Sequence, residues 1–295
     1  MTMVRTFDTD SRAASFGARV RSLLGFPRLV WLNRNMVANF LSRDLMGRFH
    51  GSLLGAWWML VQPVFMFAVY FVVFGLLYRR GGEDPTQFAL YMFSGVICFH
   101  ALNEALTTGC SVVVANGNLV KKVAFPSEVL PIPAALVSLI LYAIGAVVVV
   151  AIGAATGKFS PGVELVFAPV VLALQFLLTL GISLLLANAN VFARDVQQIW
   201  RIFSTAWFFL SPVFWHPAMM RELIGDPTLT SLAFYANPAF SLLMAHRITL
   251  AGEIPELGIT GLWGHIGVLA TWAFATLALG HLTFTANKHK HADIV

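Results

Sequence analysis

The stretch RDLMGRFHGSLLGAWWMLVQPVF, residues 43–65, changes solvent abruptly. Its first part carries Arg43, Arg48 and His50 among polar residues. A Gly-Ser-Leu-Leu-Gly step follows, and two tryptophans, a glutamine and a proline then open an apolar run. This order fits a membrane boundary, with Arg43 to His50 on the water-facing side, Gly51 to Gly55 as a bend and Ala56 onward in lipid. Trp57 and Trp58 fall where amphipathic rings prefer to lie.

The whole chain has the same character. Its 295 residues are 58% hydrophobic and 11% charged, with a mean hydropathy of +0.77, whereas soluble domains carry roughly 25% charge. Too few polar side chains remain to cover a water-facing surface, so an all-α, multispanning membrane protein is expected. The net charge of +5 does not demand nucleic acid, because membrane proteins gain basic excess by keeping Lys and Arg in cytoplasmic loops. Cys98 and Cys110 lie in an apolar segment and suggest neither a disulfide framework nor a zinc site. Arg5, Asp8, Asp10, Arg12, Arg19 and Arg21 interrupt the N-terminal segment. That leaves no apolar core for a secretory signal and places the N-terminus in the cytoplasm.

Crossing a hydrocarbon core of about 30 Å takes around 20 helical residues. Six stretches qualify: Leu53 to Tyr78, Phe88 to Ala115, Val129 to Thr156, Val163 to Asn188, Ile199 to Phe214 and Leu262 to Ala286. With the N-terminus inside, only Arg79, Arg80, Lys158, Arg221 and Arg247 fall on the outer side. This positive-inside bias puts both termini in the cytoplasm, residues 287–295 forming a tail. Residues 28–45, within a segment 28–52, space Leu29, Leu32, Met36, Val37, Phe40 and Leu41 at near-helical intervals and read as an amphipathic interface helix. Residues 1–27 are expected to form a cytoplasmic extension, and the cations from Arg5 to Arg43 are each worth up to about 1 kcal/mol against anionic lipid, which reads first as membrane anchoring and second as capture of a pyrophosphate-linked lipid. Residues 215–261, between the fifth and sixth spans, are mildly apolar but cut by Pro217, Pro227, Pro238 and Pro255. Pieces this short do not cross a bilayer, so two re-entrant helices are expected, around Pro217 to Ile224 and Ala239 to Leu250, forming a gate with Pro217, Asn237 and Pro238.

RDLMGRFHGSLLGAWWMLVQP, from Arg43 to Pro63, resembles the start of the first span in transmembrane subunits of ABC-2 type exporters. The likeness is strongest to the branch that exports lipid-linked O-antigen, teichoic acid and capsule polysaccharide. It continues in order through NGNLVKKVAFPSEVLPI (116–132), NVFARDVQQI (190–199), WFFLSPVFW (207–215) and YANPAFSLLMAHR (235–247). The resemblance implies a six-span domain over residues 53–286 that forms a homodimer in the plasma, or bacterial inner, membrane. It further implies two copies of a separate ATP-binding subunit docked below, and a lipid-linked polysaccharide, most specifically O-antigen, as substrate. No cofactor is then expected on this chain, ATP and Mg belonging to the partner subunit. The sequence agrees, since its Gly157-Lys158 pair is followed by Phe159 and no G-x-x-x-x-G-K-[ST] phosphate loop occurs.

The loop 116–128 reads locally as a short helix, a proline stop and an N-cap. By resemblance, Asn118, Leu119, Lys121, Lys122, Phe125, Pro126 and Glu128 form the surface that couples to the ATP-binding subunit. Arg194 and Asp195, with Arg43 and Asp44, are expected to make a secondary cytoplasmic contact. His100, Asn103, Glu104, Thr107, Thr108 and Ser111 make a polar stripe on the second span. A carboxylate at bilayer depth costs about 2.5 to 3.5 kcal/mol, so Glu104 must face protein or water, with His100 one turn away as a possible partner. Phe67, Tyr70, Phe71, Phe74 and Tyr78 share a face of the first span, and Trp200, Phe203, Trp207 and Phe214 follow a stripe on the fifth. Packing is the ordinary reading of such rings. The alternative is a channel wall whose flat faces meet the C–H surfaces of sugars, with Tyr70, Phe74, Trp200, Phe203, Trp207 and Phe214 as candidates. Two other functions fit the composition: export of drugs or small lipids, and a membrane glycosyl- or acyltransferase. The second is disfavoured because His216, Glu222, Asp226 and His246 form no catalytic spacing.

Overall fold

The computed structural model describes residues 16–48, 50–77, 84–122, 126–158 and 162–295. Residues 1–15, Tyr78, Arg79, Arg80 and Phe125 lie outside these, as do the side chains of Arg19 and Lys122. Apart from turns and short connections, the described residues are helical, without strands. In chain order the helices are α1 (Phe16–Leu32), α2 (Arg34–Gly47), α3 (Trp58–Tyr70), α4 (Pro85–Ala115), α5 (Gly117–Lys122), α6 (Pro131–Thr156), α7 (Ala168–Phe192), α8 (Val196–Leu210), α9 (Pro217–Ile224), α10 (Pro227–Tyr235), α11 (Pro238–Ala251) and α12 (Leu262–Ile294). A wider π-helical segment, Phe71–Leu77, prolongs α3.

Among the described residues, five helical stretches are long and apolar enough to cross a membrane: Gly55–Phe74, Pro85–Ala115, Ser127–Thr156, Val163–Phe192 and Leu262–His291. The fifth of the six expected spans, Ile199 to Phe214, falls instead on α8, which has 15 residues and reaches only about 22 Å. Ser211 ends it in extended backbone (ψ 150°), because a residue preceding proline, here Pro212, is sterically barred from the helical region.

Beyond α8 the prolines start helices rather than merely interrupting the chain. Pro217, Pro227 and Pro238 each occupy a first turn, where a missing N–H costs nothing. The Asp226 carboxylate accepts from the amides of Thr228 and Leu229, and the Asn237 carbonyl from that of Ala239. Helices therefore occur at both expected places, and α10 stands between them as a third. Asp84 caps α4 in the same manner and pairs with Lys158 at 2.7 Å, tying the start of α4 to the end of α6. That ammonium, followed by the capped amides, holds the Asp84 carboxyl below its usual range.

The N-terminal helix begins at Phe16, upstream of the amphipathic stretch read from sequence, and breaks at Asn33 between α1 and α2. Its buried residues Phe26 and Val37 join a cluster with Val129, Leu180, Leu184 and Phe284. The tail expected from Asn287 is likewise helical, since α12 runs 33 residues to Ile294.

α7 and α12 form the most extensive helix pair, and glycines set their distance. A Cβ on Gly181 would strike the backbone of Thr276 and Leu277, and one on Gly280 the carbonyl of Gly181. Close backbone approach through small residues is how helices associate where no hydrophobic driving force separates them from lipid. Gly181→Ala is expected to destabilise the protein by about 2 kcal/mol, since backbone cannot step aside. Gly267→Ala, whose added methyl meets nothing, should leave thermal unfolding in detergent unchanged or slightly improved.

Candidate functional site

The short helix α5 follows α4 directly, with the Asn116 side chain donating back to Val112 O at 2.7 Å. Asn118 and Lys121 are exposed, Leu119 and Pro126 half-buried, and Glu128 buried. Glu128 turns inward onto Lys288 of α12 at 2.6 Å. The end of α12 is held twice more. His291 Nε2 lies 3.0 Å from Asn188 Oδ1, and its ring packs edge-on against Phe284 and Phe192. Val295 covers Gly117, where a Cβ would collide with it. The C-terminal helix is thus clamped to Gly117 and Glu128, on either side of the expected coupling segment.

The expected secondary contacts gather at this same end of the bundle. Arg194 and Asp195 are exposed on the turn leaving α7 beside the Phe192 that meets His291. Arg43 and Asp44 pair with each other at 3.1 Å, Arg43 lying over the Phe40 ring, and α2 packs on α6.

The polar stripe of α4 divides between two neighbours. Glu104 pairs with Arg48, from the boundary stretch, rather than with His100. Together with His100, Gln62, Trp58 and Tyr142 this pair lines a cavity of about 590 Å³ between α3, α4 and α6. The bend below it is built by Gly51 and Gly55 in left-handed backbone (φ 78° and 51°), and Trp58 Nε1 donates to Ser52 Oγ at 2.7 Å. Further along, Thr107 turns the other way and accepts from Trp200 Nε1 of α8 at 3.2 Å. Asn103 is half-buried and its Oδ1 has no hydrogen-bond partner.

The aromatic candidates form two groups. Trp200, Phe203 and Trp207 touch one another with centroids 5.6–5.9 Å apart and line a cavity of about 640 Å³ with Asn237, Pro238 and Trp272. Trp200 and Trp207 are buried, whereas Phe203 is half exposed. Trp207 Nε1 donates to Asn237 Oδ1 at 2.7 Å, and Asn237 Nδ2 donates to Ser211 Oγ at 3.1 Å. Tyr70 and Phe74 stack at 5.9 Å and both meet Phe214. Pro217 is buried at the start of α9.

One centre was not singled out from sequence. Arg247, counted above among outer-side cations, is buried on α11 at 3% exposure. Its Nη1 donates to Pro212 O (2.6 Å) and Tyr91 Oη (2.9 Å), its Nη2 to Tyr91 O (3.1 Å) and Val213 O (3.3 Å). The guanidinium also lies 3.6 Å from the Tyr91 ring centroid, and Tyr91 Oη donates to Trp215 O at 2.8 Å. The turn after α8 is thereby pinned by one cation using its planar fork. The neighbouring His246 bridges Tyr142 Oη (2.7 Å) and Gln175 Oε1 (2.8 Å), a pattern that a neutral imidazole satisfies by accepting from one and donating to the other. The available signal was an arginine directly after the apolar run SLLMAH; its partners, far away in sequence, carried none.

Arg247→Met is expected to orphan several buried carbonyls and lower stability by about 3 kcal/mol, with Arg247→Lys intermediate, as read by thermal unfolding in detergent. Lys288→Glu should cost about 2 kcal/mol, below the range for fully buried pairs because Lys288 is partly exposed, and Glu128→Lys in the same chain should restore most of it.

The chain matches the ABC-2 type transporter family over residues 37–249. It is 27% identical over 251 residues to the O-antigen export system permease protein RfbA of Myxococcus xanthus, covering 85% of this chain and 94% of that one. Two Klebsiella pneumoniae proteins of the same description are 22% and 21% identical over 257 residues, covering 86% of this chain and 92% of each. The family match takes in the boundary stretch, the loop clamped by α12, the aromatic helix α8 and the Arg247 centre, and on it this chain belongs to the ABC-2 type transporter family, as a multi-pass membrane subunit of a transporter.

Proposed function

We propose that this chain is the permease half of an ATP-driven exporter that moves a lipid-linked polysaccharide, O-antigen first among them, across the inner membrane between two copies. The observation that carries this reading is the near end-to-end similarity to three relatives described as O-antigen export permeases. In this reading α8 and the hairpin of α9 to α11 together make the sixth crossing, with the latter three dipping in from the outer side as a gate. Both termini face the cytoplasm, where the positive charge lies. The apolar faces of α3 and α8 are exposed, including Val61, Phe65, Val69, Ile199, Ile202 and Phe209, and suit a second copy. Asn118 and Lys121 face outward for the ATP-binding subunit, which supplies ATP and Mg.

Deleting the gene should strand lipid-linked polysaccharide on the cytoplasmic side of the inner membrane. Normal surface polymer in the deletion strain, with drug or small-lipid efflux lost instead, would overturn the assignment. Lys121→Glu, at an exposed position, should reduce co-purification of the ATP-binding subunit by about tenfold while leaving the permease folded.

A further inference from the structure

At the end of the bundle opposite the loop 117–128 lies a cavity of about 530 Å³ between α9, α10, α11 and the first turns of α12. Its position follows from α12, whose far end is fixed on Glu128 and whose first turn, Gly264 and His265, lines the cavity. We infer that this cavity is a binding subsite for a single sugar ring carrying an anionic substituent, such as a uronic acid, met by the exported chain as it leaves. The inference rests on the export reading above and adds to it the chemistry of one substrate unit.

Three observations point to that ligand. First, the lining combines ring faces with polar acceptors. Tyr235 and Phe240 lie 6.2 and 5.6 Å from the His265 ring, centroid to centroid, giving apolar surfaces on which the C–H face of a sugar can rest. The Thr230 and Ser231 hydroxyls donate to helix carbonyls, Asp226 O and Pro227 O, so their remaining lone pairs are left to accept from sugar hydroxyls. His265, at 6% exposure, lines the cavity; its Nδ1 is buried and has no hydrogen-bond partner among the described residues.

Second, three exposed glycines leave the cavity open. Gly225, Gly261 and Gly264 all line the cavity, and a Cβ on any of them would meet nothing within 4 Å. Any larger residue there would occupy the room that a ligand needs. Gly225 and Gly261 also require left-handed backbone (φ 71° and 81°), but Gly264 does not, so conformation alone does not account for it.

Third, the charged side chain in the lining is a cation. Arg221 is the charged residue that lines the cavity, and none of the ion pairs among the described residues involves it. The nearby carboxylates keep their charge but direct oxygens at backbone amides, Asp226 capping α10 and Glu253 Oε1 accepting from the amide of Gly261 at 2.7 Å. A guanidinium beside hydroxyls and rings selects a carboxylate-bearing sugar over a neutral one by a charge-assisted hydrogen bond. The volume falls within the range of about 300 to 1,000 Å³ typical of small-molecule sites, so it takes a sugar unit or two and not a polymer.

The test uses the purified full-length protein in lipid nanodiscs and saturation-transfer NMR with D-glucuronate, D-glucose and glycerol 3-phosphate as probes. Transfer to glucuronate should exceed that to glucose, and Arg221→Gln should reduce it by about fivefold. Gly264→Leu, which fills the cavity from ordinary helical backbone, should abolish it, with unfolding temperature measured alongside; should that variant not fold, the surface variant Arg221→Gln decides alone. Equal transfer to glucose, preference for glycerol 3-phosphate as expected of a lipid-headgroup site, or transfer unaffected by Arg221→Gln each overturns the inference. None of these results bears on whether deletion strands polysaccharide, so the subsite can fail while the export reading stands. The converse failure is equally visible, because a deletion without effect on polymer would leave the binding measurement unchanged.

Discussion

A polar group held in the apolar interior of a membrane protein must find its partner in the chain itself, because no water is there to supply one. Arg247 shows how far that constraint reaches. A cation on α11 with no carboxylate beside it is stabilised by carbonyls of the turn after α8 and by the hydroxyl, carbonyl and ring of Tyr91. That turn follows Ser211, where the helical backbone stops and its carbonyls are released from α-helical pairing. The break that shortens α8 thus creates the acceptors that Arg247 needs, and Arg247 makes the break tolerable. His246, one residue earlier, binds α6 and α7 through Tyr142 and Gln175. Two adjacent polar residues consequently hold α11 at the junction of α4, α6, α7 and the α8 turn.

The two ends of the bundle are tied by different means. At one end Asp84 and Lys158 make an exposed pair, which solvent weakens. At the other, Lys288 meets a buried Glu128, His291 holds the helix terminus to Asn188 of α7, and Val295 covers Gly117. A single helix of 33 residues, about 50 Å long, therefore runs from the clamped loop to the cavity holding Gly264 and His265. It is packed along α7 at glycine distance, so displacement of the loop acts on a stiff element rather than on a tether.

The long spans were legible because a run of apolar residues sufficient to cross a bilayer has few alternative explanations, and the starts of α4, α6, α7 and α12 followed from it. What was missed has identifiable causes. The end of α8 was overrun because WFFLSPVF stays apolar through Pro212, and hydropathy does not register the steric rule that stops Ser211. The helix α10 was overlooked although Asp226-Pro227-Thr228 is a good capping sequence, because the proline was counted as a break. Helical spacing offered His100 as a possible partner for Glu104 and left the pairing open; the partner in the structure, Arg48, lies far upstream in the stretch that crosses the membrane boundary. Arg247 fell among the outer-side residues by its place between the fifth and sixth spans, and its burial was not foreseen, since an arginine's burial depends on carbonyls contributed by other elements. Local rules are readable in a sequence, while satisfaction of a buried charge is a property of the packed whole.

The aromatic wall on α8 follows the same logic. Trp200 and Trp207 are not free to reorient, as their indole N–H groups are bound to Thr107 of α4 and to Asn237 at the start of α11. Asn237 has three tasks at once: it receives Trp207, caps Ala239 and donates to Ser211. A change in the angle between α8 and α11 must therefore break at least one of these bonds in a place where no water waits to replace it. Each costs about 1 to 3 kcal/mol if left unmade, enough to favour discrete arrangements over continuous flexing. Phe203, half exposed between the two tryptophans, is held by ring contacts alone and can adjust without that penalty. Fixed tryptophans with one adjustable ring between them thus make α8 rigid at Trp200 and Trp207 and compliant at Phe203, while the hydrogen-bonded junction at Asn237 ties α8 to α11.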